Sequence, residues 1–324
     1  MKKQPLQGPL LKELGAIAGL RLKESEALAP YTSIKVGGPA DYFIDVQTEE
    51  ALAGALAALK RHGVTCHLLG RGSNVLVSDR GVRGAVLRLG AGFHGVQWRQ
   101  AGDKAEVVIG AAYPIARLVR LAATKGYGGL EFAEGIPGSV GGALVMNAGA
   151  FGSEMEKIVE RVEGVAPTGD PVVFQRRDLA FTYRSARLPA GTVVTRVAMR
   201  LEKAEPEAVV HRVRDLTRLR KTSQPSGLPS AGSMFRNPTG DYAGRLIEEA
   251  GLKGAQIGKA KISEHHANFI VNLGGASAGD VRRLMELAGT TVRERCGVEL
   301  EPEVQFLGEW TEWSLEGRIE SRIG

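Results

Sequence analysis

The sequence predicts an α+β fold from the mixed order of its helices and strands and from the absence of a Rossmann or P-loop motif. Segments with helical and strand-like periodicity are mixed along the chain without the strict alternation of a doubly wound parallel sheet. The chain has 324 residues, of which 43% are hydrophobic, so it is long enough to bury two or three cores. No GxGxxG follows a strand and opens a helix, and no GxxxxGK[ST] occurs, which excludes Rossmann and P-loop domains.

The first elements are predicted to form a β-α-β unit after a short amphipathic helix at residues 9–20. Strands are predicted at 40–46 and 64–69. Between them, Thr48 is a good N-cap for a helix from residue 49 to residue 61, because it precedes two acids and an apolar run. The second strand runs into a glycine loop at its carboxyl end, where ligands usually bind.

The middle of the chain contains short strands whose turns are marked by glycine, and one helix that begins with proline and stops at glycine. The predicted strands are 75–77, 85–89, 96–99, 105–109, 159–165, 171–175 and 192–201, and the predicted helix is 114–125.

Pro206 marks a predicted domain boundary, since a strongly basic helix at 207–221 and a Pro/Ser/Gly-rich loop follow it. Further helices are predicted at 241–250 and 278–296, with a strand at 269–272, which together make a unit of a size that folds alone. The predicted units are 1–95, 96–205, 206–308 and a polar tail at 309–324.

Two glycine-rich loops are the strongest functional signal. Successive N–H groups in such loops form an anion-binding concavity, with serine and asparagine as additional donors. One loop suggests a phosphate and two suggest a dinucleotide, although each could be only a connecting turn. The candidate cofactor-binding residues are Gly70, Arg71, Gly72, Ser73 and Asn74 in the first loop, and Gly135, Pro137, Gly138, Ser139, Gly141, Gly142, Asn147 and Ala148 in the second.

The charge distribution indicates the class of ligand, and the two cysteines indicate the redox compartment. The net charge is +6, but the basic residues are dispersed and aromatic residues are only 6%, so small anionic ligands are favoured over nucleic acid. Cys66 and Cys296 lack metal-ligand spacing and are predicted to be buried thiols in a reducing compartment. No metal site, signal peptide or membrane span is predicted, so a cytoplasmic location is expected.

Six motifs in series resemble one family. They are TSIKVGGPAD, GRGSNVLVSD, IPGSVGGALVMNAGAFG, YRSAR, SAGSMFRNP and LEPEV, and they span residues from about 30 to 308. In this order they resemble the UDP-N-acetylenolpyruvoylglucosamine reductase (MurB) family. The resemblance implies two FAD-binding subdomains of the vanillyl-alcohol-oxidase type followed by a C-terminal substrate domain. The short segment after the YRSAR motif resembles the family's shorter class, which lacks an inserted tyrosine loop.

The resemblance also implies the reaction and the residues that carry it. NADPH reduces FAD, and the flavin passes hydride to the enolpyruvyl ether of the UDP-sugar in peptidoglycan synthesis. Neither glycine loop has a His or Cys for covalent attachment, so FAD should be non-covalent, and the enzyme is expected to be a monomer. The implied roles are proton donor for Ser233, carboxylate clamp for Arg184, acid or stabiliser for Glu303, and substrate contacts for Arg218, Lys221, Asn237 and His266.

Two other functions remain open from the residues alone. Another FAD-dependent oxidoreductase, acting on an alcohol or hydroxy acid, would keep the glycine loops but would have no reason to keep Ser233, Arg184 and Glu303 together. A non-enzymatic nucleotide-sugar or nucleic-acid binding module would be colourless, and nucleic-acid binding would be salt-sensitive.

Overall fold

A computed structural model describes residues 8–310 of the chain. The α-helices in this range are α1 (Gly8–Ala16), α2 (Glu49–Arg61), α3 (Ile115–Thr124), α4 (Val140–Val145), α5 (Pro206–Ser223), α6 (Ala243–Glu249) and α7 (Ala278–Cys296). The strands are β1 (Leu20–Ala27), β2 (Pro39–Val46), β3 (Cys66–Leu68), β4 (Val75–Val77), β5 (Val82–Leu89), β6 (Val96–Ala101), β7 (Lys104–Gly110), β8 (Tyr127–Gly128), β9 (Gly149–Ala150), β10 (Ser153–Glu154), β11 (Val159–Val165), β12 (Pro171–Gln175), β13 (Ala180–Thr182), β14 (Ser185–Arg187), β15 (Val193–Lys203), β16 (Ser230–Ser233), β17 (Gln256–Ile257), β18 (Ala260–Ile262), β19 (Phe269–Asn272) and β20 (Gln305–Leu307).

The first sheet has the order β1-β2-β5-β3 and contains the predicted β-α-β unit. Strands β2 and β3 both pair in parallel with β5, and α2 connects them. Thr48 caps α2 as predicted, because its side chain accepts a hydrogen bond from the N–H of Ala51. The turn after β3 therefore lies at the carboxyl edge of a parallel sheet, where the first glycine loop begins.

The second sheet is antiparallel, with the order β12-β11-β15-β7-β6 and β8 added beside β15. Helix α3 packs on its core through fully buried Ile115 and Leu118. Helix α5 packs there as well, because its buried Val209 and Val213 belong to the same core. Burying a valine side chain contributes roughly 1.5–3 kcal/mol, so α5 is held firmly against this sheet.

The third sheet, β16-β19-β18-β17, is antiparallel and is covered by α6 and α7. A capping box at Ser277 and Asp280 begins α7, and Gly297 in the left-handed conformation ends it. These signals explain why the predicted bounds of α7 are confirmed.

The third sheet region is tied directly to the first. Strand β20 pairs in parallel with β4, although 230 residues separate Val75 from Gln305. The carboxylate of Asp79 accepts hydrogen bonds from the N–H groups of Ala278 and Gly279, at 2.8 Å each, and so caps α7 from outside its own unit. Asn272 Nδ2 donates to the carbonyl of Ile34 at 2.9 Å. The first and third units therefore share a hydrogen-bonded border.

Several predicted elements need correction. The opening helix ends at Ala16, and Leu20 begins β1, which was not predicted because its charged sequence LRLKESEA does not alternate like a half-buried strand. The strand β1 lies at a sheet edge and pairs only with β2. The apolar run at 143–146, inside the second glycine loop, predicts a buried segment, but Val145 is 42% exposed, and residues 140–145 form the short helix α4.

The domain boundaries remain a prediction, and the packing of α5 suggests one change. We propose that the third unit starts near residue 224, after α5, because α5 buries its apolar face in the second core. Most of the predicted polar tail, residues 311–324, lies outside the described residues. No helix among residues 8–310 is both long and apolar enough to cross a bilayer.

Candidate active site

Arg184 lies at the tip of the β13–β14 hairpin in a left-handed backbone conformation, with φ of +57°. Such a conformation is unfavourable for a residue with a Cβ and is typical of functional turns. Buried Asn147 holds the hairpin, because its Nδ2 donates to the carbonyl of Thr182 at 3.1 Å and its Oδ1 accepts from the N–H of Glu156 at 3.0 Å. Arg184 itself donates from a terminal nitrogen to the carbonyl of Gly149 at 3.0 Å.

Glu303 is the ion-pair partner of Arg184. Their side chains are only 16% and 22% exposed, and Arg184 Nε lies 3.1 Å from Glu303 Oε1. The N–H bond at Nε is not aligned with this oxygen, so the contact is an ion pair without a well-formed hydrogen bond. Burial raises the pKa of Glu303, and the charges of Arg184 and Arg236 oppose that rise. Glu303 is therefore a carboxyl group that keeps its proton to higher pH than usual.

Ser233 ends β16, and the chain segment that contains Glu303 runs beside it. The residue after Ser233, Met234, accepts a hydrogen bond at its carbonyl from the N–H of Glu303 at 2.8 Å. The hydroxyl of Ser233 donates to no other residue within the described range 8–310. The structure thus brings the three predicted catalytic residues together, at a point where the third unit meets the glycine loops.

An open cavity of about 320 Å³ lies beside Arg184. Tyr183 and Asn237 line it together with the β9–β10 turn. Oδ1 of Asn237 accepts from the N–H of Ala243 at 3.1 Å, which leaves its Nδ2 group free for a ligand. The predicted substrate contact Asn237 therefore lies at the rim of the same site as Arg184.

The first glycine loop leaves a row of backbone donors unused. From Gly70 to Asn74, no N–H group donates a hydrogen bond to another residue in the part of the chain that the structure describes. Gly72 allows this turn, because its φ is +62° and a Cβ there would lie 2.3 Å from the carbonyl oxygen of Tyr31. Such a row of free donors is the cradle that a diphosphate requires.

The second glycine loop packs against the first. Ser73 Oγ donates to the carbonyl of Pro137 at 3.0 Å. A Cβ on Gly138 would lie 3.1 Å from Ser73 Oγ. A Cβ on Gly70 would lie 3.3 Å from Ser139 Oγ. The N–H groups of Gly138 and Ser139 have no acceptor among residues 8–310, so both loops offer donors to one space.

The remaining candidates in the second loop serve the protein itself. The N–H of Gly141 donates to the carbonyl of Ala111, and a Cβ on Gly141 would lie 2.9 Å from that alanine's Cβ. The N–H groups of Gly142 and Ala148 are also used, by Ser139 Oγ and the carbonyl of Ala143 respectively. These N–H groups and the Asn147 side chain therefore hold the shape of the loop, and a cofactor contact by these residues stays a prediction.

Arg220 is a site residue that sequence reasoning missed. A Cβ on Gly135 would lie 2.6 Å from its Cδ, and its guanidinium carbon lies 5.3 Å from the ring centre of Phe151. Burial lowers the pKa of Arg220, while the charge of Glu134 raises it and that of Arg184 lowers it. Its Nε is buried and has no hydrogen-bond partner among residues 8–310. Arg184 and Arg220 therefore carry positive charge in the same region of the site. The sequence RLRK alone does not distinguish Arg220 from its neighbours.

The other predicted substrate contacts come from α5 and from the turn before β19. Arg218 and Lys221 are exposed on α5, and Lys221 lines a second open cavity of about 350 Å³ with Lys261 and His265. His266 packs against the ring of Phe269, and its Nδ1 accepts from the N–H of Asn268 at 3.2 Å.

Metal binding and thiol chemistry receive no support from the described residues. Burial lowers the pKa of His266, so its ring stays neutral to lower pH than usual. No cluster of three or more His, Cys, Asp or Glu side chains in the described range could hold a metal ion. The prediction that both cysteines are buried is wrong, because Cys66 and Cys296 are both partly exposed. The surroundings of the Cys66 sulfur still shield it from water enough to raise the pKa of this thiol to about 12.

Comparisons with known proteins agree with the motifs. Residues 40–175 match the FAD binding domain family, and residues 224–307 match the C-terminal domain of UDP-N-acetylenolpyruvoylglucosamine reductase. The reductase of an Anaeromyxobacter species is 46% identical over 293 residues, covering 90% of each chain. The Bacillus subtilis reductase is 41% identical over 286 residues, covering 88% of this chain and 93% of the relative.

A solved structure extends the likeness to three dimensions. The reductase of Thermus caldophilus superposes with a TM-score of 0.78 at 39% identity, covering 89% of this chain and 99% of that chain. The predicted FAD-binding module and C-terminal domain are thereby confirmed. This chain belongs to the UDP-N-acetylenolpyruvoylglucosamine reductase (MurB) family.

Proposed function

We propose that this protein reduces UDP-N-acetylglucosamine enolpyruvate to UDP-N-acetylmuramate in peptidoglycan synthesis, with NADPH as the hydride donor. The observation that carries the proposal is the meeting of Arg184, Glu303 and Ser233 beside the two glycine loops. Reduction of an enolpyruvyl ether adds one hydride and one proton across its double bond. The site must therefore stabilise negative charge and then deliver a proton.

The glycine loops fit FAD. The unused N–H groups of residues 70–74, with those of Gly138 and Ser139, would hold the diphosphate, and glycine keeps the surface open for a flat ligand. Arg71 is exposed at the edge of this cradle. Bound FAD supplies the chemistry of accepting a hydride from NADPH and donating it to the substrate.

The arginines would stabilise the charge that forms when hydride reaches the terminal vinyl carbon. That charge spreads from the adjacent carbon onto the substrate carboxylate, which a guanidinium binds with two parallel hydrogen bonds. Arg184 can turn toward a carboxylate because its Nε–H is not committed to Glu303. Arg220 adds a second positive charge nearby.

Ser233 would donate the proton to the carbon that carries the charge. Its hydroxyl donates to no other described residue, so the proton is available to a ligand. Glu303 lies on the neighbouring segment, and its raised pKa suits a group that supplies or shares a proton. Lys221, Arg218, Asn237 and His266 remain our candidates for contacts with the UDP-sugar.

The same proposal includes a monomeric, cytoplasmic enzyme. All the candidate catalytic groups come from one chain, so no second subunit is needed to complete the site. Both NADPH and the UDP-sugar are multiply charged nucleotides that do not cross a lipid bilayer unaided.

The experiment follows the visible spectrum of the purified protein without air. The protein should be yellow, should bleach when NADPH is added, and should regain its colour when UDP-N-acetylglucosamine enolpyruvate is added. FAD should be released on denaturation, because it is held without a covalent bond.

Two results would contradict the proposal. A protein that bleaches but is not reoxidised by the enolpyruvyl substrate would be another flavin oxidoreductase, and alcohols or hydroxy acids would then be tested as substrates. A colourless protein that does not take up added FAD would also remove our account of the glycine loops.

A further inference from the structure

Asn74 connects the first glycine loop to the segment that carries Glu303. Its side-chain Nδ2 donates to the carbonyl of Glu303 at 3.1 Å, and its own carbonyl accepts from the N–H of Gln305 at 3.0 Å. The Nδ2 group also lies 3.7 Å from the sulfur of Met146 in the second glycine loop. One residue therefore contacts both loops and the third unit.

The backbone and the side chain of Asn74 face different parts of the site. Its backbone N–H is among the free donors of the loop, while its side chain turns away from that cradle to the chain segment before β20. The sequence predicts a cofactor contact for Asn74, and the backbone N–H is the group available for it, because the side-chain Nδ2 faces the Glu303 carbonyl and the Met146 sulfur. An aspartate of the same shape would lack the N–H needed to reach the Glu303 carbonyl.

The backbone of Glu303 is fixed on both sides. Its N–H donates to Met234, next to Ser233, and its carbonyl accepts from Asn74. The first bond sets the distance of Glu303 from β16, and the second sets its orientation toward the glycine loops. Without the second bond, the Glu303 carbonyl keeps only the longer bond from Gln305 Nε2 at 3.4 Å, and the neighbouring N–H groups of Val304 and Gln305 still hold the chain. The segment then stays in place, but the Glu303 side chain is held less firmly against Arg184.

We infer that Asn74 is a positioning residue for Glu303, which couples the flavin-binding loop to the group that assists protonation. This inference depends on the proposed function, because Glu303 acts only in the step that uses the enolpyruvyl substrate. Reduction by NADPH needs no proton from Glu303. The loss of Asn74 should therefore affect one half-reaction and spare the other.

The test uses the flavin-loaded full chain with Asn74→Asp, and Asn74→Ala as a second variant. NADPH should bleach the flavin-loaded fraction of both variants at nearly the wild-type rate, because both substitutions keep the backbone N–H of residue 74 and change only the side chain that faces Glu303. The limiting rate of reoxidation by UDP-N-acetylglucosamine enolpyruvate should fall about 10- to 100-fold, the scale of a small displacement in an active site. The substrate concentration for half the limiting rate should not change, because Asn74 does not touch the substrate.

Hydrogen exchange provides a measurement that is independent of activity. In the flavin-loaded variants, amides in residues 301–307 should exchange faster than in the wild type, because the Asn74 bond restrains this segment.

Asn272→Ala is the matched control. It removes another asparagine-to-carbonyl bond across the same border, to Ile34, together with the bonds that its Oδ1 accepts from the N–H groups of Gly274 and Ala276, and no hydrogen bond joins it to Glu303 among residues 8–310. This variant should lower the melting temperature without separating the two half-reactions. The inference is overturned if the Asn74 variants lose both half-reactions equally, lose their flavin, or reoxidise at the wild-type rate. A wild-type protein that fails to be reoxidised would instead contradict the proposed function itself.

Discussion

The two halves of the candidate site are built from different parts of the chain. The cofactor half consists of backbone N–H groups in residues 70–74 and at Gly138 and Ser139. The substrate half consists of side chains, chiefly Arg184, Glu303 and Ser233, that arrive from separate strands and turns. A glycine substitution in the first half acts by adding a Cβ, whereas a substitution in the second half acts by removing a functional group.

Mutations in the cofactor half and in the substrate half should therefore have different effects on the two half-reactions. In the cofactor half, the shape of the loop is the function, so loss of shape should release the flavin and remove both half-reactions. In the substrate half, the flavin should stay bound and be reduced normally, and only its reoxidation by substrate should suffer. The following four predictions test this division, beginning with the largest effect.

Gly72→Ala should abolish flavin retention. The new Cβ would lie 2.3 Å from the Tyr31 carbonyl oxygen in a backbone with φ of +62°, so the loop must move. The measurement is the ratio of flavin to protein after gel filtration. Gly102→Ala is the control, because its φ of +59° is similar but nothing lies within 4 Å of the added Cβ. Equal flavin retention in both variants would show that loop shape is not limiting.

Ser233→Ala should keep its flavin and bleach with NADPH, but reoxidation by the enolpyruvyl substrate should be about 10²- to 10⁴-fold slower. The reason is the loss of the proton donor, and stopped-flow absorbance checks it. Ser230→Ala, in the same strand, should reoxidise at the wild-type rate. A normal rate in Ser233→Ala would assign protonation to another group, of which Glu303 is the nearest.

Arg184→Lys should slow reoxidation by about 100-fold, less than the loss of the proton donor. Lysine keeps the charge but cannot bind a carboxylate with two parallel hydrogen bonds, and it loses the bond to Gly149. The same stopped-flow measurement applies, with Arg187→Lys on the exposed end of the hairpin as control. If NADPH bleaching slowed as much as reoxidation, Arg184 would belong to both halves.

Raising the pH should give the smallest effect, again only in reoxidation. Burial raises the pKa of Glu303, so its protonated form persists to higher pH and is lost as the pH passes that pKa. If that form assists protonation, the rate should fall about tenfold for each pH unit once the pH is well above that pKa. Glu303→Gln should remove this pH dependence, and a matching fall in NADPH bleaching would contradict the assignment.

Local signals predicted much of the fold. The bounds of α2 and α7 follow from side-chain caps at Thr48 and Ser277, and both caps are present. Strand β11 was placed correctly, and its segment VERVEGV carries three β-branched valines among charged residues. Motif order then led to Arg184, Ser233 and Glu303, which periodicity alone does not distinguish from ordinary turn and surface residues.

Other features depend on contacts that no local pattern encodes. Strand β1 reads as a charged segment because it lies at an edge, and α4 contains two consecutive glycines, which are poor helix formers. Arg220 differs from its exposed neighbours only because Gly135 leaves room for its side chain. The partner of Asn74 lies 229 residues away in the sequence, so only the folded chain shows that its side chain faces Glu303.

The pairing of β4 with β20 has a consequence for how the enzyme is made. Residues 75–77 leave the ribosome long before residues 305–307, and Asn74 cannot contact Glu303 until the later segment is available. Closing so long a stretch of chain costs entropy before any contact forms, which slows folding. The FAD-binding units can fold early during synthesis, but the catalytic site can be completed only when nearly the whole chain has been translated.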